Sequence, residues 1–240
     1  MKIESYSAFV AKAMPESKAA SANKCLIGHY FLRPVSHLIA MPLVRADVPA
    51  LFVTKISMVF VFLALAEFMF ANTLHGFILA WFFLLVWNIL DGVDGDIARY
   101  TETMSPKGGL WDATVGWLAT VVFYIGMGCA ASRLPSALNL GFFKDYYLFM
   151  GCVAALCWIF PRLVMHKKLG LFDSDSVASV QDREHYGPFK LFYFNLTSIN
   201  GAGALAFLFS MCAGITDICL LAYLALSLAM ASVSCISLLK

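Results

Sequence analysis

Three of the four aspartates in the run DGVDGDIARYTETMSPKGGLWD, namely Asp91, Asp94 and Asp112, stand with an arginine and a set of small residues. On a helix turning about 100° per residue, with Asp91 at 0°, Asp94 falls at about 300°, Gly95 at about 40° and Ala98 at about 340°. Two carboxylates one turn apart therefore share a face with two small residues that leave room for a ligand. Arg99, at about 80°, lies on the edge of that face. Asp112 stands beyond the turn cluster Ser105-Pro106-Lys107-Gly108-Gly109, where it can complete the group from a returning helix. Three converging carboxylates repel one another at low dielectric, and a divalent cation removes that repulsion. All-oxygen ligation suits Mg2+ or Mn2+, and magnesium is usually held by few carboxylates together with substrate phosphates. An arginine beside such a group can grip phosphate in bidentate fashion. The chemistry implied is metal-assisted displacement at phosphorus. The bland alternatives are a solvated acidic helix end and, for Asp112 alone, an acid placed at the positive end of a helix dipole.

The elements that must position these residues are membrane helices. The chain has 240 residues, of which 61% are hydrophobic and only 13% charged, against roughly 25% charged in a soluble domain. A bilayer span needs about 20 mostly apolar residues, and six runs qualify or nearly so: 51–71, 74–90, 109–131, 146–165, 188–212 and 215–239. The expected fold is an all-α integral membrane protein, six transmembrane helices preceded by an interfacial amphipathic helix. The second helix leaves the hydrocarbon near Asp91, and the third begins near Leu110 with Asp112 in its first turns. Short connections make neighbours of successive spans, except for the polar loop at about 166–187, which is long enough to cover a cavity. Its Lys167 and Lys168, with Arg162, could bind phosphate or follow the positive-inside rule.

Three segments follow from this pattern: a polar N-terminal arm over 1–24, an interfacial element over 25–48, and a six-helix catalytic domain over 49–240. The arm lacks the apolar core of a signal peptide and reads as weakly structured or interfacial. In 25–48 apolar positions recur at helical spacing, interrupted by Arg33, His37 and Arg45, with Pro34 and Pro42 expected to kink or split the helix. Asp47-Val48-Pro49 reads as a helix start, Asp47 being the N-cap candidate. Glu67, near the far end of the first span, suits an interfacial position. With the N-terminus in the cytoplasm, all 17 lysines and arginines except Arg133 and Lys144 fall on that side. That places both termini and the 91–112 segment at the cytoplasmic face. The 7 cysteines show neither CxxC nor disulfide spacing and read as packing residues. No feature calls for a nucleic-acid partner.

The 91–112 segment resembles the signature of the CDP-alcohol phosphotransferase (CDP-alcohol phosphatidyltransferase) family, D-x2-D-G-x2-A-R-x8-G-x3-D-x3-D. Asp91, Asp94, Gly95, Ala98, Arg99, Gly108 and Asp112 stand at matching positions, and Gly116 stands in the last. The likeness extends to FLRPVSHLIAMPLV and to VPALFVTKIS. There the family's helix often opens Pro-Asn with a threonine four residues after the asparagine. Here Ala50 replaces the asparagine and Thr54 is retained. The resemblance implies transfer of a substituted phosphate from a CDP-alcohol to a hydroxyl acceptor with release of CMP, at least one partner being lipidic. CDP-diacylglycerol is the expected donor. It implies that Asp91, Asp94 and Asp112 hold Mg2+ or Mn2+, that Gly95, Ala98, Arg99, Ser105 and Gly108 contact the cytidine diphosphate, and that the protein forms a homodimer.

The family's last aspartate is usually the general base and a ligand to a second metal, and glycine can be neither. Asp96 faces away from the acid face, Glu102 lies some turns further on, and His29 and His37 could swing over the cavity from the interfacial element. A phosphate oxygen of the substrate could also accept the proton. The alternative function is a catalytically impaired paralogue that binds a CDP-alcohol and regulates or scaffolds a partner.

Overall fold

A computed structural model describes residues 5–15, 28–135, 137–138, 141–171 and 195–239. Among these the chain is entirely helical. Helix α1 spans Tyr6–Ala13, α2 Arg33–Arg45, α3 Ala50–Phe70, α4 Leu74–Tyr100, α5 Pro106–Arg133, α6 Tyr147–Leu171, α7 Ala202–Ala213 and α8 Thr216–Leu239. A π-helical turn over Gly28–Leu32 leads into α2, and a 3-10 turn over Gly141–Tyr146 leads into α6.

Among the described residues five helices are long and apolar enough to cross a bilayer: Ala50–Phe70, Leu74–Tyr100, Pro106–Arg133, Lys144–Met165 and Thr216–Ile236. The chain is therefore a multi-pass membrane protein. The remaining expected run, 188–212, contains α7, whose 12 residues fall short of a span, and its beginning lies outside the described residues. The 21 residues of α3 match a hydrocarbon core of about 30 Å at about 1.5 Å per residue. Helices α4 and α5, with 27 and 28 residues, are longer than that core requires. Their surplus turns form the hairpin end that carries Asp91, Asp94 and Asp112.

Helices α3 and α4 form a close antiparallel pair, and α5 packs on α3 and on α6. Their shared core is aromatic, built from Phe68, Phe77, Phe123, Tyr124, Phe207 and Tyr223. Phe123 meets Phe207 edge-on at 5.5 Å between ring centroids. The α5–α6 crossing is closer than ordinary side chains allow. A Cβ on Gly128 would stand 2.8 Å from the Tyr147 carbonyl oxygen, and one on Gly151 would stand 2.6 Å from that of Tyr124. Backbone therefore meets backbone, the small-residue packing that membrane helices use where no hydrophobic force drives association. At the end remote from the acids, Arg133 Nη1 donates to the carbonyls of Met69 at 2.8 Å and Ala71 at 2.9 Å. It thereby satisfies carbonyls at the C-terminus of α3.

Three local expectations are corrected. The arm over 1–24 contains α1, whose Phe9 and Ala13 are fully buried, because an apolar face on a short helix finds α2 and α4 to pack against. Pro42 does not split the interfacial element: Arg33–Arg45 is one helix with Pro42 inside it and Pro34 in its first turn, where a missing N–H costs little. Asp47 is not the N-cap of α3. Pro49 holds that position, and Asp47 occupies the left-handed region with φ 52°, which aspartate tolerates better than most residues.

Candidate active site

Helix α4 runs unbroken through the acidic segment to Tyr100, so the helical spacing expected of Asp91, Asp94, Gly95, Ala98 and Arg99 is present. The chain then turns tightly. Glu102 adopts φ 56°, and Ser105 caps α5 by accepting a hydrogen bond from the Gly108 amide at 3.1 Å. Gly108 lies beneath that cap, where a Cβ would stand 3.3 Å from the Ser105 hydroxyl. The reversal brings Asp112 back to α4. Its carboxylate comes close to that of Asp91, and Asp94 lies within electrostatic reach of both.

A cavity of about 860 Å³ opens between the ends of α2, α3, α4 and α5. Asp94, Gly95, Ala98, Arg99, Ser105, Gly108 and Asp112 all line it, and Thr54 faces them from α3. Asp91 stands outside this lining and touches the site through Asp112. Asp94 is buried, whereas Asp112 is exposed at the mouth. The Thr54 hydroxyl donates to Asp94 Oδ2 at 2.5 Å, so the retained threonine aims one carboxylate. Among the described residues no three His, Cys, Asp or Glu side chains close into a complete ligand set. The arrangement is open, with hard oxygen donors on two adjacent helices and space beside them. That donor chemistry fits Mg2+ or Mn2+ completed by phosphate oxygens.

Asp96 faces away from the acid face, is fully buried and receives four donors. Arg99 Nη2 and His37 Nδ1 each lie 2.8 Å from it, Ser36 Oγ 3.2 Å and Arg33 Nη1 3.4 Å. Helix α2 comes this close because residue 92 is glycine: a Cβ there would stand 2.9 Å from Ser36 Oγ. His37 therefore does not hang over the cavity as a proton acceptor but is locked to Asp96. Glu102 is paired with Lys12 at 2.9 Å in solvent. The side chain of His29 lies outside the described residues.

Arg99 is likewise held by more than its own helix. Its Nε donates to the Ala13 carbonyl at 2.5 Å and its Nη2 to Asp96, so the side-on edge expected to fork phosphate is already occupied. The Nη1–Nη2 end of its guanidinium closes on Gly95, where a Cβ would stand 3.0 Å from Nη1 and 3.1 Å from Nη2. At Gly116, one turn beyond Asp112, a Cβ would meet nothing within 4 Å.

Sequence reasoning missed the Asp96 node, Gly92 and Ser36. One signal was available. Arg33 and His37 are spaced one turn apart on a helix, and two basic groups on one face call for an acidic partner.

A bundle of long apolar helices thus has its polar cavity at the surplus end of two adjacent spans. The family model described as CDP-alcohol phosphatidyltransferase matches residues 48–228, and the chain belongs to that family. It thus belongs to a group of enzymes that transfer a substituted phosphate from a CDP-alcohol to an alcohol acceptor and are generally dependent on divalent metal. No curated protein matches the chain.

Proposed function

We propose that this protein transfers a substituted phosphate group from a CDP-alcohol, CDP-diacylglycerol being the expected donor, to a hydroxyl acceptor at the cytoplasmic membrane face, releasing CMP. The observation that carries this reading is the convergence of Asp94, Asp112, Arg99, Ser105 and Gly108 on one cavity inside the family-matched segment. Asp91, Asp94 and Asp112 would hold Mg2+ or Mn2+. The bound cation supplies charge neutralisation on the diphosphate and an easier departure of CMP. Thr54 keeps Asp94 aimed. The Nη1 end of Arg99 meets the diphosphate, and the small faces of Gly95, Ala98 and Gly108 let the nucleotide approach the backbone.

The proton of the acceptor hydroxyl has no protein acceptor at position 116. Asp96 and His37 are bound to each other, and Glu102 is bound to Lys12. The proton passes instead to an oxygen of the substrates, and the acceptor therefore carries its own acidic hydroxyl or anionic group. Phosphoryl transfer tolerates this because it depends mainly on positioning and electrostatics.

The open space at Gly116 also favours a second reading, a CDP-alcohol-binding paralogue that regulates or scaffolds a partner. One experiment separates the two: CMP release from labelled CDP-diacylglycerol and soluble CDP-alcohols, with Mg2+ or Mn2+ and a panel of anionic and neutral acceptors, against Asp94→Ala. Metal-dependent CMP release lost in the variant supports the enzyme. Donor binding without turnover on any acceptor supports the paralogue.

A further inference from the structure

A guanidinium is a rigid plane with five N–H donors, so two fixed hydrogen bonds set its orientation. Arg99 has two, from Nε to the Ala13 carbonyl and from Nη2 to Asp96, and its Nη1 has no hydrogen-bond partner among the described residues. Both anchors are themselves immobile. The four donors around Asp96 use up the acceptor sites of a carboxylate, and it is fully buried. The Ala13 carbonyl belongs to the last turn of α1, where helix carbonyls lack internal partners and carry partial negative charge. Arg99 therefore caps α1, and α1 in turn holds Arg99. Helix α1 is seated by Phe9, which stacks on Tyr100 with ring centroids 4.8 Å apart and is wholly buried with Ala13 against Val44, Val53, Val93 and Ile97. Lys12 adds an ion pair to Glu102. One face of the helix, through Phe9 and Ala13, is thus seated in the core while most of its other side chains stay exposed. The helix also lies outside the family-matched residues 48–228.

We propose that Asp96 and helix α1 form a positioning clamp that fixes the Arg99 guanidinium beside Gly95 with its Nη1 end presented to the diphosphate of the CDP-alcohol. The N-terminal helix, outside the family segment, is then a working part of the donor site. This rests on the reading that the cavity takes a CDP-alcohol.

The test uses the full-length protein in detergent or nanodiscs, with Phe9→Asp to unseat α1 and Asp96→Asn to weaken the second anchor. Each is made alone and in an Arg99→Lys background. A charge-assisted hydrogen bond is worth enough to change binding roughly 10- to 100-fold. Each single variant should raise KM for the CDP-alcohol by about that factor, with kcat changed less and the melting curve still cooperative. Neither should add a further KM effect once Arg99 is lysine, because the clamp then has no plane to hold. A KM that is unchanged overturns the proposal, and so does an equal penalty in the lysine background, which marks a merely structural role. A KM that falls on unseating α1 also overturns it and makes the helix inhibitory. If the unaltered protein neither turns over nor binds any CDP-alcohol, the functional reading fails first and the clamp falls with it. An active parent with insensitive variants removes the clamp alone.

Discussion

Gly116→Asp is the sharpest perturbation of the proposed chemistry. Position 116 is one helical turn beyond Asp112 on α5, so a carboxylate there projects from the same face. A Cβ at 116 meets nothing within 4 Å, and the new side chain enters without displacing a neighbour. Glycine costs roughly 1 kcal/mol in a helix interior and aspartate somewhat less, a gain of a few tenths. Repulsion from Asp112 at this spacing costs about 0.2–0.5 kcal/mol. The two nearly cancel, and the melting temperature should move little. General-base catalysis contributes about 10²–10⁴-fold, which at 1.36 kcal/mol per decade is about 3–5 kcal/mol of barrier. With a neutral alcohol acceptor, saturating CDP-alcohol and Mg2+, kcat for CMP release should therefore rise by two or more orders of magnitude. Gly116→Asn, which has the shape but cannot take the proton, should not follow. An unchanged kcat in a well-folded Gly116→Asp protein would refute the argument that a missing base limits the rate. An equal gain from Gly116→Asn would refute the assignment of that gain to proton transfer.

Other expectations are more local. Saturating Mg2+ at about 100 times its Kd should stabilise the protein by about 2.7 kcal/mol, read as a rise in melting temperature, and Asp112→Asn should lose most of that rise. Thr54→Val removes the 2.5 Å bond to Asp94. At about 1.5–3 kcal/mol for a bond to a charged group, kcat/KM should fall roughly 10- to 100-fold while expression stays normal. Gly151→Ala forces a Cβ to within 2.6 Å of the Tyr124 carbonyl, and thermal unfolding should show a loss of about 1–3 kcal/mol, as for overpacked cores.

How much of this was legible in the chain depends on the range of the interaction. The acid face of α4 follows from spacing alone, because Asp91, Asp94, Gly95 and Ala98 lie within two turns of one helix. The return of Asp112 also follows, since Ser105 and Pro106 mark a helix start that structure and sequence share. The partners of Asp96 were missed for the same reason that the others succeeded. Helical angle says which way a side chain points from its own axis, not what another helix brings to meet it. Ser36 and His37 arrive from 60 and 59 residues earlier, and Ala13 from 86 residues before Arg99. The burial of α1 depends on such long-range partners, and eight residues of mixed polarity carry no local sign of it.

The two walls of the cavity are fastened in different ways. The α5 wall is bonded to α6 through glycine backbone, and any side chain added at that crossing collides. On the other side, α1 and α2 are held by side chains: the donors to Asp96, the Lys12–Glu102 pair and the apolar seat of Phe9. A lineage under selection for a bulkier headgroup therefore has one cheap direction of change. Substitutions around Asp96 and Phe9 would shift this side of the site while leaving the acid-bearing α5 intact. Substrate range across relatives should then track sequence before residue 48 more than sequence along α5, although it is α5 that carries Asp112.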